Sequence, residues 1–93
     1  MLLSEALETF LHGELRLRGY SGTTVAHYRR WVTRLVLHLA KEKGEIPSVS
    51  DISPSRLEGF LTSLLSKGLD PGTVRQAGFC FRVFFRWCKK KGF

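Results

Sequence analysis

Cationic side chains recur at helical spacing in two stretches of this chain. His27, Arg30, Arg34, His38 and Lys41 follow one another at three or four residues, and Arg75, Arg82, Arg86 and Lys89 keep the same phase with Phe79 among them. At ~100° per residue each set forms one stripe along a helix. Guanidinium and ammonium groups gathered on an accessible face neutralise phosphates, the main source of affinity for nucleic acid. Thr23, Thr24 and Thr73 stand where helices would begin, offering hydroxyls beside backbone N–H groups that favour phosphate oxygens. Arg75 and Gln76 carry side chains that hydrogen-bond guanine and adenine edges in a major groove. Plainer explanations exist for each: a solvated helix face for a basic stripe, and help with capping for Thr24 and Thr73.

Other chemistries find little to work with. His12, His27 and His38 are scattered, and Cys80 and Cys88 lie two helical turns apart, so no metal-ligand spacing occurs. Neither a Walker nor a Rossmann glycine loop is present. Carboxylates are few and sit mostly at helix starts or in loops, which disfavours an acid–base pair. The expectation is a binding domain rather than an enzyme, with no cofactor and no metal.

Charge is distributed unevenly among the elements that would carry these residues. The 93 residues hold 15 Lys plus Arg against 8 Asp plus Glu, for a net +7 and a pI near 10.0. Residues 21–44 (Arg29, Arg30, Arg34, Lys41, Lys43 against Glu42) are net +4, and residues 70–93 (six cations against Asp70) are net +5. Residues 1–20 and 45–69 are each net −1. Segregation onto two stretches of four favours a polyanion-binding face over a general solubility charge. With 43% apolar residues the chain is a folded globular one, expected as a single domain over 1–93. No apolar run approaches the ~18 residues of a membrane span, no secretory leader opens the chain, and two cysteines make no disulfide framework. A reducing, cytoplasmic setting without membrane contact is expected.

Four helices are predicted, and no strand pattern competes. Leu3, Ala6, Leu7, Phe10, Leu11 and Leu17 define the first, with Ser4 as N-cap, Gly13 weakening it and Gly19 stopping it. The second runs from Ser21 to about Lys43, buries Val25, Tyr28, Val32, Leu35, Val36 and Leu39, and ends at Gly44. After a loop through residues 45–50, Ser53-Pro54 opens a third that buries Leu57, Phe60, Leu61, Leu64 and Leu65 and stops at Gly68. Asp70-Pro71 opens the fourth, which buries Val74, Ala77, Gly78, Phe81, Phe84, Phe85 and Cys88 before Gly92. Val83 and Trp87 fall outside both stripes of this helix, leaving room for a second contact surface, and Trp31 beside the basic face reads as a packing residue. Phe79 could be a wedge or stacking group, but packing against an acidic-stretch helix is the expectation. The fold class is all-α, a compact four-helix bundle.

Taken in order, the motifs resemble the N-terminal core-binding, SAM-like domain of tyrosine recombinases, the phage-integrase and Xer-like family. The pattern is Ser21-x-x-Thr24-x-x-x-Tyr28, then Asp51-Ile52-Ser53-Pro54, then Leu57-x-x-Phe60-Leu61-x-x-Leu64 with Gly68. It continues with Thr73-Val74-Arg75 and closes on Phe81-Arg82-Val83-Phe84-Phe85-Arg86-Trp87, covering nearly the whole chain. The resemblance implies a domain that clamps one face of double-stranded DNA while a separate C-terminal catalytic domain grips the other, with further protomers on the same DNA. It implies that the second and fourth helices face the duplex, that Thr24 and Thr73 are phosphate-contacting helix starts, and that Arg75, Gln76 and Arg82 face the groove. Tyr28 matches a core tyrosine, not a nucleophile. The DNA-binding set is therefore expected to comprise Thr23, Thr24, His27, Arg30, Arg34, Thr73, Arg75, Gln76, Arg82, Arg86 and Lys89.

Departures from the family pattern are Gly78-Phe79-Cys80 where a small polar, leucine-rich turn is expected, and Gly13, Gly59 and Gly72 within helices. The family's arginine, lysine, histidine and tyrosine constellation has no counterpart in these residues, so strand cutting is expected of a longer parent only. Two other readings compete. A protein-interaction module would use Phe79, Val83 and Trp87, and a helix-turn-helix regulator would use the turn between Leu65 and Thr73.

Overall fold

Each helical rod ends at a glycine in the left-handed region, where a side chain would be strained. Gly19, Gly44, Gly68 and Gly92 have φ of +70°, +76°, +90° and +80°. The computed structural model describes residues 1–93. It comprises four such rods and no sheet. α1 consists of an α-helix Leu3–Thr9, a π-helical turn Phe10–Glu14 and a last α turn Leu15–Leu17. α2 is Gly22–Lys43, α3 is Pro54–Ser66 and α4 is Pro71–Lys91. The loop between α2 and α3 contains a 3-10 turn, Val49–Asp51. That loop is tied to the start of the chain by the Leu3 N–H donating to the Pro47 carbonyl (2.9 Å) and the Val49 N–H to the Met1 carbonyl (3.0 Å).

Three of the four expected N-caps form. Ser21 Oγ accepts from the Thr24 N–H at 3.3 Å, Ser53 Oγ from the Arg56 N–H at 3.2 Å, and Asp70 Oδ2 from the Gly72 N–H at 2.9 Å. The fourth is corrected: Leu2, not Ser4, precedes α1, and Glu5 reaches back to accept from the Leu2 N–H at 3.0 Å. Gly72 has a use beyond loosening its helix. A Cβ there would lie 2.8 Å from the capping Asp70 Oδ2.

The π turn changes which residues of α1 are buried. The Leu15 N–H bonds to the Phe10 carbonyl, five residues back. One extra residue in the turn makes everything after it lag by ~100°. Leu15 thereby swings onto the core face and is buried, while Leu17, expected inside, is 87% exposed.

α2 packs on α1 and α4, and α3 packs on α4. The core joins 22 buried residues in one cluster. Its centre is the Phe10 ring, which lies 5.3 Å from Tyr28 of α2, 5.3 Å from Phe84 and 5.1 Å from Trp87 of α4. Trp87 is therefore a core residue, contrary to the expectation of a free surface there, and Phe93 closes over it at 5.4 Å. Trp31 and Cys80 also join the core, although neither lies on the apolar stripes read from the sequence. Leu65 was expected inside and is exposed, because it stands one residue, ~100°, beyond the buried Leu64.

Candidate nucleic-acid interface

The first halves of α2 and α4 lie side by side, and a groove of about 720 Å³ runs between them. Five of the residues singled out by type and spacing line it: Thr23, Thr24 and His27 from α2, Arg75 and Gln76 from α4. Arg30 continues the same surface in a shallower hollow that it shares with Thr23 and His27. The Arg30 guanidinium donates to His27 Nδ1 at 3.2 Å. An arginine N–H can only donate, so Nδ1 accepts and the His27 proton sits on Nε2.

Arg30 and Arg34 are held over the ring of the buried Trp31, their guanidinium carbons 5.6 Å and 5.2 Å from its centroid. The indole thus acts from within the core as a platform, restricting two long side chains that would otherwise sweep freely. That role could have been read from Arg30-Trp31 and the i+3 spacing to Arg34.

The remaining candidates lie elsewhere on α4 or at its start. Arg86 borders a second hollow, about 420 Å³, between α1 and α4, in company with Arg18, Lys90 and Lys91. Lys89 borders a third, about 370 Å³, on the α3 flank, beside Ile52, Phe85 and Phe93. Arg82 is exposed and Thr73 half-buried, and neither they nor Arg34 line these larger hollows. At the start of α4 the Asp70 carboxylate already occupies the Gly72 N–H, which disfavours a phosphate beside Thr73. The start of α2 is capped by neutral Ser21, whose Oγ–H donates to Thr24 Oγ1 at 3.2 Å and leaves the Thr24 O–H free to donate.

Ion pairing separates the two sides of α2. The four pairs in the chain are Glu8 with His12, Glu14 with Arg18, Glu8 with Arg29, and Glu42 with His38. His38 also packs edge-on against Phe60, 5.0 Å away, so it is turned to α3 and drops out of the basic stripe. None of Arg30, Arg34, Arg75, Arg82, Arg86 or Lys89 has a carboxylate partner. Unpaired positive charge therefore lies on α2 and along α4, while the acidic residues of α1 are spent on α1 itself and on the far side of α2.

Four further residues line the groove and were not assigned to it: Tyr20, Phe79, Cys80 and Val83. Phe79 is 58% exposed, which corrects the expectation that it packs beneath an acidic helix. At the groove floor, burial raises the Tyr28 phenol above its ordinary value, and burial likewise raises the Cys80 thiol against a smaller lowering by Arg30. Both stay protonated near neutrality and neither is poised as a nucleophile. No three of His, Cys, Asp and Glu are grouped so as to hold a metal ion, and no helix is long and apolar enough to cross a membrane.

No curated protein and no solved structure matches the chain. The four-rod fold, its capped helix starts and its terminal aromatic run agree with one family model, that of the phage integrase N-terminal SAM-like domain, which matches residues 7–92, and the chain belongs to that family.

Proposed function

We propose that the chain binds double-stranded DNA through α2 and α4, as the non-catalytic arm of a site-specific integrase or recombinase. The observation that carries this reading is the row of arginines without carboxylate partners on either side of one groove. Arg30 and Arg34 stand on α2, Arg75 and Arg82 on α4. Leaving that many like charges unpaired is unfavourable for the free domain and is relieved when phosphates approach. Thr23, Thr24 and His27 contribute donors at the α2 end, and Arg86 and Lys89 extend the contact along the phosphate backbone. Arg75 and Gln76 reach base edges from the first turns of α4. The chain's own catalytic domain and neighbouring protomers on the same DNA are the partners this role requires.

Fluorescence anisotropy with a labelled 30-bp duplex tests the reading. Five phosphate contacts predict a slope of log affinity against log salt of about −4.5. Arg75, Arg82 and Arg86 replaced together by Ala should make that slope shallower by about 3 while helicity is retained. A triple variant that binds with unchanged affinity and slope would falsify the proposal.

A further inference from the structure

We propose that Phe79 is a specificity residue that reads thymine, its ring resting on the C5-methyl group in the major groove. The proposal rests on the DNA-binding reading and assigns a base to the one apolar side chain in the middle of that surface.

Gly78 lies against α3, where a Cβ would come 3.5 Å from Leu61. The next residue, ~100° further round, is thereby turned outward, and Phe79 is 58% exposed. One turn before it stand Arg75 and Gln76, and one turn after it Arg82 and Val83, so the ring shares its surface with the groove's polar side chains. An exposed aromatic ring flanked by unpaired arginines gains nothing from water and nothing from a phosphate. On the floor of the major groove every base presents nitrogen and oxygen donors or acceptors, with one apolar exception, the thymine methyl. A helix that approaches DNA with Arg75 and Gln76 toward base edges brings Phe79 to the same depth, where that methyl is its only complementary partner. Wedging between minor-groove steps is excluded on size. The minor groove is about 6 Å wide, against about 10–12 Å for a helix with its side chains. The arginines then fix position without regard to sequence, and the ring supplies discrimination.

Uracil-for-thymine substitution isolates the contact, since it removes only the methyl. A 30-bp duplex recovered by the chain itself from a random-sequence pool is prepared with thymine and again with uracil throughout. The chain should bind the thymine duplex about three- to fivefold more tightly, the effect of one buried methyl. Phe79→Ala should bind both duplexes alike, and Phe79→Leu, still apolar, should keep most of the difference. Because the side chain is mostly exposed, both variants should retain the parent's helicity. A recovered site without thymine, equal binding of both duplexes by the parent, or an undiminished ratio in Phe79→Ala each overturns the thymine contact while leaving salt-dependent DNA binding intact. Equal binding is also the result expected if Phe79 docks a protein instead. Absence of salt-sensitive binding to either duplex overturns the DNA-binding reading itself.

Discussion

Arg29 of α2 grips Glu8 of α1 with 2.6 Å between Nη1 and Oε1, across 21 residues of chain, while its neighbour Arg30 has no carboxylate partner. Two adjacent arginines therefore do different work. Arg29 ties the second rod to the first, and Arg30, ~100° round the helix, faces the groove. Replacing Arg30 and Arg34 together by Ala should flatten the salt dependence of DNA binding by about 2 in the log–log slope. Arg29→Ala should leave that slope nearly unchanged. Anisotropy titrations from 50 to 300 mM salt distinguish these outcomes, and a slope that falls equally in both variants would contradict the division of α2 into two sides.

The same pair makes stability depend on pH. The Arg29 hydrogen bond is the largest influence on the Glu8 carboxyl and, together with Arg29 and His12 charge, outweighs partial desolvation to hold it below its ordinary value of 4.5. A carboxylate whose pKa is depressed by folding adds stability that is fully present above its unfolded value and lost as pH falls through the folded one. Glu8 is about half exposed, so the contribution is below about 1 kcal/mol. Urea midpoints of the parent and Glu8→Gln should differ at pH 7 and converge toward pH 3. The difference at pH 7 should shrink in high salt.

Phe10 and Trp87 should prove the costliest residues to remove. Their rings meet 5.1 Å apart, where α1, α2 and α4 converge, and both are buried. Truncation to Ala should cost about 3–5 kcal/mol each, a large part of the ~5–15 kcal/mol that typically holds a domain together. Leu17→Ala and Leu65→Ala, at exposed positions, should stay within about 0.5 kcal/mol of the parent. Denaturant unfolding followed by circular dichroism gives all four values.

What could be read before any coordinates follows a physical line. Caps and stops were legible at Ser21, Ser53, Asp70 and the four glycines because they are local backbone chemistry, complete within four or five residues. The identity of the two basic rods was legible because charge segregation survives any packing. The burial of Trp87 was not, since it depends on Phe10, 77 positions earlier, arriving against that flank of α4. Likewise Leu15 and Leu17 exchanged environments through a single extra residue in a turn, and only Gly13 marked the place. Which cations share a groove depends on how α2 and α4 are rotated against each other. Thr23 and Arg75 meet there while Lys89 turns to the α3 flank, and no count of charges contains that angle.

Neither thiol should react readily in the folded chain. Burial pushes Cys88 up to about 12, and burial also raises Cys80. At pH 8 the thiolate fraction of Cys88 is then about one in ten thousand, and only the thiolate is alkylated. Iodoacetamide at pH 8 should label neither residue over an hour in the native protein and both within minutes in denaturant, as read by mass spectrometry. Rapid native labelling of Cys80, which borders the groove, would show that the groove floor opens.

Two glycines with equal room but unequal backbone should respond to alanine in opposite directions. A Cβ at Gly13 or at Gly44 would meet nothing within 4 Å, so packing does not enter the comparison. Gly13 has no positive φ and lies within the π turn of α1, where glycine only adds freedom to the unfolded chain. Gly13→Ala should therefore stabilise by about 0.5–1 kcal/mol. Gly44 has φ +76° and caps α2 through its N–H to the Ala40 carbonyl at 2.7 Å. Gly44→Ala must hold a side chain in the left-handed region and should cost about 1–2 kcal/mol. Thermal midpoints should move up for the first and down for the second. Destabilisation by Gly13→Ala would mean that the π turn needs backbone freedom which the static geometry of α1 does not reveal.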